Sequence, residues 1–147
     1  MAQHHTMMSS DSTRHKMQNV TDLKWMDAPP GLPKGAKVAV LSGDPSKAGL
    51  YTIRVSFPKG YAVRPHTHPT AESITVVEGT LFMGTQETFD KLKAGKLEKG
   101  GFAEMPANFV HYAFCEDPAV VQIHGMGPFT IKYVNKNDDP RNAAPLK

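Results

Sequence analysis

Residues 60–79 read GYAVRPHTHPTAESITVVEG, and this stretch decides the fold. Residues two apart in an extended chain share a face, so His66 and His68 project their imidazoles in the same direction. Pro69 predicts a turn, after which Glu72 begins the next strand and brings its carboxylate back beside both rings. Two imidazoles and one carboxylate are therefore expected to converge.

A third histidine, His111, lies far along the chain on another predicted strand. A lone His-x-His pair indicates only a surface strand with solvated rings. Here, however, three of the four histidines that follow residue 22 belong to one spacing pattern. Imidazole nitrogens and a carboxylate oxygen form a donor set that suits iron, manganese, nickel, zinc or copper. The sequence predicts one divalent transition metal per chain, of unspecified identity, with these ligands: His66, His68, Glu72 and His111.

These residues resemble the motifs of the cupin superfamily. The first cupin motif is a glycine, five residues, His-x-His, three or four residues, a glutamate, six residues and a glycine, and residues 60–79 match every position. The second motif matches at Gly100, Pro106 and His111. It departs at Asn108, where glycine is usual, and at Cys115, where asparagine is usual.

The two departures leave the expected metal ligands intact. Asparagine tolerates left-handed backbone better than most residues, so we expect the turn at Asn108 to survive. Cys115 occupies a supporting position and is expected to be a small buried side chain. The resemblance covers about residues 37–133. It implies a cupin barrel with a metal bound by three histidines and one glutamate. The chain is also similar to small single-domain bacterial cupins of unassigned activity. It implies no substrate.

The rest of the chain reads as short strands separated by turn residues. Residues 51, 53, 55 and 57 are apolar and alternate with polar residues, which predicts a strand with one buried face. Other strands are predicted at 37–41, 61–66, 73–78, 80–84, 110–114, 119–124 and 129–133, and only 86–93 looks helical. About eight strands are typical of a barrel or sandwich. The fold class is therefore all-β, a single cupin barrel of the jelly-roll (double-stranded β-helix) type with an extended N-terminal arm.

Length and composition indicate one domain. The chain has 147 residues, of which 39% are hydrophobic, enough for a single core. Residues 1–22 are polar and are predicted to form a flexible arm, so His4, His5 and His15 carry little weight as site residues. The barrel is expected over residues 23–135 and a polar tail over 136–147.

Charge and hydropathy exclude several classes of protein. The net charge of +3 is spread along the chain, which does not favour a nucleic-acid-binding protein. No apolar run is long enough to span a membrane, and no signal peptide is recognisable. Cys115 is the single cysteine, so thiol content does not identify a compartment. A cytoplasmic location is the default, with a mature secreted form as the alternative.

Further site residues follow from an expected hairpin between residues 110–114 and 119–124. If it closes symmetrically, His111 faces His124, which would then point into the barrel as a general base, a substrate contact or an interior histidine. The same register places Gln122 in the pocket. Arg64 is two residues before His66 and is a candidate to grip a carboxylate substrate, with solvation as the alternative. Phe82 and Met126 are candidates for an apolar pocket wall.

Four protein ligands leave about two positions on an octahedral ion for water or substrate. The first hypothesis is an enzyme acting on a small oxygenated molecule, with Glu72 and His124 as catalytic residues and a dioxygenase favoured over an isomerase or lyase. The second is a non-enzymatic cupin that binds or senses a ligand, and the third is a closed structural site. Pairing through an edge strand, common in cupins, implies a homodimer.

Overall fold

The computed structural model describes residues 15–142, and antiparallel strands dominate this part of the chain. The strands are β1 (Met26–Asp27), β2 (Lys37–Ser42), β3 (Gly49–Phe57), β4 (Ala62–Thr67), β5 (Glu72–Glu78), β6 (Leu81–Gly84), β7 (Gly95–Leu97), β8 (Phe102–Met105), β9 (His111–Phe114), β10 (Ala119–Gly127) and β11 (Lys132–Tyr133). Single turns of 3-10 helix lie at Val20–Asp22, Lys91–Lys93, Lys136–Asp138 and Pro140–Asn142.

The strands form two sheets that face each other. One sheet has the order β1-β2-β3-β10-β5-β8, and the other has the order β11-β4-β9-β6-β7. Neighbouring strands in space are mostly distant in sequence, as in the jelly roll, because the chain crosses repeatedly between the sheets. The all-β prediction is confirmed, and the inner faces of the two sheets enclose both the core and the site.

Strand β3 shows how the alternating sequence builds the core. The four inner side chains, Tyr51, Ile53, Val55 and Phe57, are each at most 7% exposed. Leu50, which directly precedes Tyr51, is 76% exposed and points to the outer face. Burying an aliphatic or aromatic side chain contributes about 1.5–3 kcal/mol, so the period of two alone determines which face of β3 packs inward.

The predicted strands are present, although only Lys132–Tyr133 of the predicted 129–133 forms a strand, and three short strands were missed. Strands β1, β7 and β8 have two to four residues each, too short for a periodic signal. Of the predicted helical segment 86–93, only Lys91–Lys93 forms a 3-10 turn, which the Asp90 side chain caps through the Leu92 amide. The Tyr112 hydroxyl donates to the Asp90 carbonyl oxygen and so holds this segment against the outer face of β9.

Asn108 and Gly79 are two of the turn residues that have left-handed backbone. Asn108 has φ of 64°, which confirms that asparagine preserves the turn before β9. Gly79 has φ of 78° between β5 and β6. A Cβ atom at Gly79 would lie 2.6 Å from the Pro118 carbonyl oxygen. Gly79 is thus required both by its φ angle and by the close approach of the loop before β10.

We expect Gly79→Ala to lower the free energy of unfolding by about 2 kcal/mol or more, because the new methyl group meets backbone as well as an unfavourable φ. Gly60→Ala is the matched control. Gly60 has φ of 74° but open space around its Cβ direction, so about 1 kcal/mol is expected there. Urea unfolding of both variants measures the difference, and equal losses would contradict the role of the Pro118 contact.

The ends of the described chain lie on the barrel. Residues 15–22 are exposed, with the Lys16 amino group donating to the Leu41 carbonyl oxygen over 2.7 Å. Arg141 donates to the Ile131 carbonyl oxygen over 2.8 Å. Most of the predicted arm (1–14) and the last part of the predicted tail (143–147) lie outside the described residues, and the division at 22 and 135 stays a prediction. Over residues 15–142, no helix combines the length and hydropathy needed to cross a membrane.

Candidate metal centre

The four predicted ligands lie at the ends of strands in both sheets. His66 is on β4 with His68 directly beyond it, Glu72 begins β5, and His111 begins β9. They are 4%, 7%, 6% and 2% exposed and are the buried polar or charged residues of the described chain. Unpaired polar groups are costly to bury, so a buried cluster of this composition indicates a site rather than packing.

Backbone carbonyls orient all three rings. The Nδ1 atoms of His66, His68 and His111 lie 2.6, 2.8 and 3.0 Å from the carbonyl oxygens of Arg64, Thr130 and Phe109. A carbonyl only accepts, so each Nδ1 carries the proton and donates it. In the neutral form of each ring Nε2 then keeps its lone pair, the arrangement typical of metal-ligating histidines.

The free ligand atoms face one another. One ring nitrogen from each of the three histidines lies within 4.8 Å of the others. Glu72 Oε1 is 3.5 Å from His68 Nε2 and 3.6 Å from His111 Nε2. These separations are long for hydrogen bonds but suit donors that share a cation with bonds of about 2.0–2.2 Å. The three buried histidines can hold a metal ion, and Glu72 lies beside them as a fourth donor.

The electrostatics keep the rings ready to bind a metal. Burial lowers the pKa of His66 well below its ordinary value, and the neighbouring His111 and His68 rings lower it further. The hydrogen bond to Arg64 opposes this shift only in part. His66 is therefore neutral near pH 7, as a nitrogen ligand must be.

The site opens into a cavity of about 90 Å³ whose wall is otherwise apolar. Its lining residues are Pro29, Leu32, Val38, Pro45, Ile53, Val55, Phe57, Val63, His66, His68, Glu72, Ile74, His111, Ala113, Ile123 and Phe129. Among these residues, the four ligand candidates are the only titratable ones. Tyr51 lies nearby, where burial and then the charge of Glu72 raise the pKa of its phenol, so Tyr51 is neutral.

The expectation that His124 points into the barrel is wrong. Strands β9 and β10 do not form a hairpin, since they belong to different sheets. β10 instead pairs with β3 and β5, and His124 is exposed on the outer face with its Nδ1 3.1 Å from Thr52 Oγ1. Residues 116–118 carry the chain across to the other sheet. His124 therefore points in the direction opposite to the one that the assumed hairpin predicts. His124 is therefore no base for the cavity.

The four predicted pocket residues also lie outside the cavity. Gln122 shares the outer face of β10 and accepts from Arg54 Nε over 2.9 Å, and Met126 is 45% exposed. Phe82 is on the outer face of β6, where it stacks on Phe114 at 5.0 Å. Gln122 and Met126 were misplaced because β10 pairs in the other sheet. Phe82 was misplaced because the side chains of β6 alternate in the opposite phase.

Arg64 is exposed, and its guanidinium lies 4.5 Å from the centre of the Phe89 ring. The pairing of β4 with β9 shifts between Val63 and His66, so Arg64 does not share the inward face of His66. Its backbone carbonyl serves the site instead, as the acceptor for the His66 ring.

Sequence reasoning missed the loop residues of the cavity. Pro29, Leu32 and Pro45 precede or join strands, and Phe129 follows β10 with its ring 5.2 Å from that of His68. Phe129 was predicted to lie in a strand over 129–133, of which only Lys132–Tyr133 forms. Loop residues have no period, so no sequence signal assigned these four residues to the cavity. The part of the cavity wall that β3 contributes could be predicted from the sequence, because apolar alternation indicated that residues 53, 55 and 57 are buried.

A family model described as the ChrR Cupin-like domain matches residues 13–130. The chain belongs to this cupin family. Germin-like protein subfamily 2 member 1 of Arabidopsis thaliana is 37% identical to this cupin over 79 residues, which are 53% of the chain and 36% of that protein. Germin-like protein 8-2 of Oryza sativa subsp. japonica is 32% identical over 95 residues, 59% of the chain and 43% of that protein. The cupin thus spans less than half the length of these relatives.

Solved structures share the cupin's fold at low identity. A polyketide cyclase from Streptomyces resistomycificus superposes with a TM-score of 0.70 at 17% identity, covering 86% of this chain and 90% of that chain. The "putative acetylacetone dioxygenase" from Methylibium petroleiphilum has a TM-score of 0.64 at 16% identity, covering 89% and 88%. At such identities the similarity shows the fold alone.

Proposed function

We propose that this cupin is a metal-dependent enzyme that acts on a small oxygenated molecule. One divalent transition metal would be held by His66, His68, Glu72 and His111. One observation carries the proposal: one ring nitrogen from each of three buried histidines and a carboxylate oxygen face one another at the wall of an apolar cavity. A bound ion supplies Lewis acidity and, if it is redox-active, electrons for dioxygen.

The chain's own residues orient the ligands and exclude water. The carbonyls of Arg64, Thr130 and Phe109 fix the rings, so little rearrangement is needed when a metal binds. The apolar wall lowers the local polarity around the site, which strengthens electrostatic interactions with a bound ligand. Such a site favours polarisation of a substrate that reaches the metal through its oxygen atoms.

Dioxygenase-like chemistry is favoured over an isomerase or lyase. Isomerases and lyases need a general acid or base beside the substrate. Among the described residues that line the cavity, Glu72 is the only carboxylate and no histidine is free of the proposed metal site. The structural neighbours include a cyclase and a dioxygenase, which supports enzymatic use of this fold without choosing the reaction.

The same scarcity of acid-base groups favours a second candidate, a non-enzymatic cupin that binds or senses a small ligand. In that case the metal anchors the ligand and no turnover follows. The predicted homodimer, small-molecule partner and cytoplasmic location complete the proposal, and the dimer is measured by light scattering after gel filtration.

Metal analysis of protein purified without added ions tests the proposal. We expect about one transition-metal ion per chain, removable by a chelator and restored by reloading. Dioxygen consumption with enolisable diketones then distinguishes an enzyme from a binding protein. A diketone that binds without dioxygen consumption supports the second candidate. A chain that takes up no transition metal contradicts both.

A further inference from the structure

We propose that Phe129 and Leu32 determine which molecules reach the metal, because their side chains narrow the mouth of the cavity. This inference rests on the proposed function, since it takes a metal in the cavity to bind the molecule that enters. It goes further, because it assigns selection by molecular width to two loop residues outside the proposed set of metal ligands.

The exposure of the lining residues locates the mouth of the cavity. Pro29, Leu32, Pro45 and Phe129 are at least partly exposed to solvent, whereas every other lining residue is at most 8% exposed. A lining residue that is also in contact with solvent lies where the cavity meets the surface. These four residues, the mouth residues, therefore border the opening through which a molecule enters.

Phe129 is fixed in place on two sides. Its amide donates to the Pro45 carbonyl oxygen over 2.6 Å, which joins the loop before β11 to the loop between β2 and β3. The next residue, Thr130, accepts a hydrogen bond from the His68 ring through its carbonyl oxygen, and the Phe129 ring lies 5.2 Å from the same ring. Phe129 thus lies between the protein surface and a proposed metal ligand.

Two buried tyrosines fix the segment that carries Leu32. The Tyr61 hydroxyl donates to the Pro33 carbonyl oxygen, and the Tyr133 hydroxyl donates to the Gly31 carbonyl oxygen, each over 2.6 Å. Hydrogen bonds therefore hold the backbone on both sides of Leu32. Because a buried donor is costly to leave without its acceptor, this segment resists movement away from the opening.

An opening held in this way selects molecules by their width. A loop that moved freely would admit wide and narrow molecules alike, whereas loops joined by hydrogen bonds require the entering molecule to fit between their side chains. The mouth residues have apolar side chains, so those side chains offer no hydrogen bond to a particular polar group. Width therefore distinguishes one entering molecule from another at this opening.

The test uses the full chain loaded with cobalt(II) and two probes, imidazole and the wider benzimidazole. Both bind a metal through one ring nitrogen, and the visible spectrum of cobalt reports their binding. We expect Phe129→Ala and Leu32→Ala each to raise the affinity for benzimidazole relative to imidazole by about tenfold over the parent. Benzimidazole should also associate faster in stopped-flow mixing, because the mouth limits its entry. An unchanged affinity ratio in either folded, cobalt-loaded variant would overturn the assignment of that residue.

Phe102→Ala and Leu92→Ala are the matched controls. Phe102 is 58% exposed and Leu92 is 96% exposed, and neither lines the cavity. We expect both variants to keep the parent's affinity ratio within about twofold, as is usual for surface substitutions. A tenfold change in these controls would contradict selection at the mouth.

Phe129→Trp makes the opposite change, because a larger side chain narrows the opening. Its affinity for benzimidazole relative to imidazole should fall below that of the parent. A higher relative affinity for benzimidazole in this variant would contradict selection by width.

The two proposals fail in different ways. A chain that binds no cobalt overturns the proposed function and this inference with it. A chain that binds cobalt, but whose two alanine variants at the mouth keep the parent's affinity ratio, overturns the inference alone.

Discussion

Replacing His111 with asparagine is expected to weaken metal binding by at least about a hundredfold. Loss of residues that merely support metal ligands costs about 10–100-fold, and His111 is a proposed ligand. Its Nε2 is 3.6 Å from Glu72 Oε1, and its ring is one of the three in the histidine cluster of the described residues. Competition with a chromophoric chelator measures the affinity.

His124→Asn is the matched control for this substitution. His124 is the histidine that sequence reasoning placed opposite His111, and the structure places it on the outer face of β10. We expect the His124 variant to bind metal with unchanged affinity. Melting of the metal-free proteins checks that both variants fold. If the His124 substitution weakened binding as much as the His111 substitution, the proposed ligand set would be wrong.

Glu72→Gln is expected to remove most of the stabilisation that metal binding gives the barrel and, if the chain is an enzyme, most of its turnover. Glutamine has nearly the same shape but lacks the charge, so the cation loses its only anionic ligand among the described residues. A metal present at a hundred times its Kd stabilises a protein by about 2.7 kcal/mol, and a hundredfold weaker affinity reduces this to about 0.4 kcal/mol.

The metal-free Glu72→Gln protein should be at least as stable as the metal-free parent, because an uncompensated carboxylate is no longer buried. Glu78→Gln on the same strand is the control, since Glu78 is exposed and only 3.7 Å from exposed Lys99 in a surface pair. The difference in Tm with and without metal should fall for position 72 and not for position 78. A Glu72 variant that keeps the metal-dependent Tm increase would contradict the proposed role, and lost turnover with an intact melting temperature would separate catalysis from structural support.

Much of the site was predictable from local spacing. Residues i and i+2 of a strand share a face whatever the strand packs against, so His66 and His68 could be paired before the partner sheet was known. The apolar alternation in residues 51–57 likewise indicated a buried wall. Asn108 could be assigned to a left-handed turn because few residues tolerate positive φ.

The amino-acid sequence by itself determined the all-β class, the buried face of β3 and the residues whose donor atoms converge. The tertiary structure alone decided where β10 lies, which loops close the cavity and hence which charges surround the site. The physical reason is that side-chain alternation is a local property of a strand, whereas a strand's partners depend on the path of the connecting loop. Residues 116–118 lead from one sheet to the other rather than back along β9. That crossing turned His124 outward and left Ile123 to face the cavity.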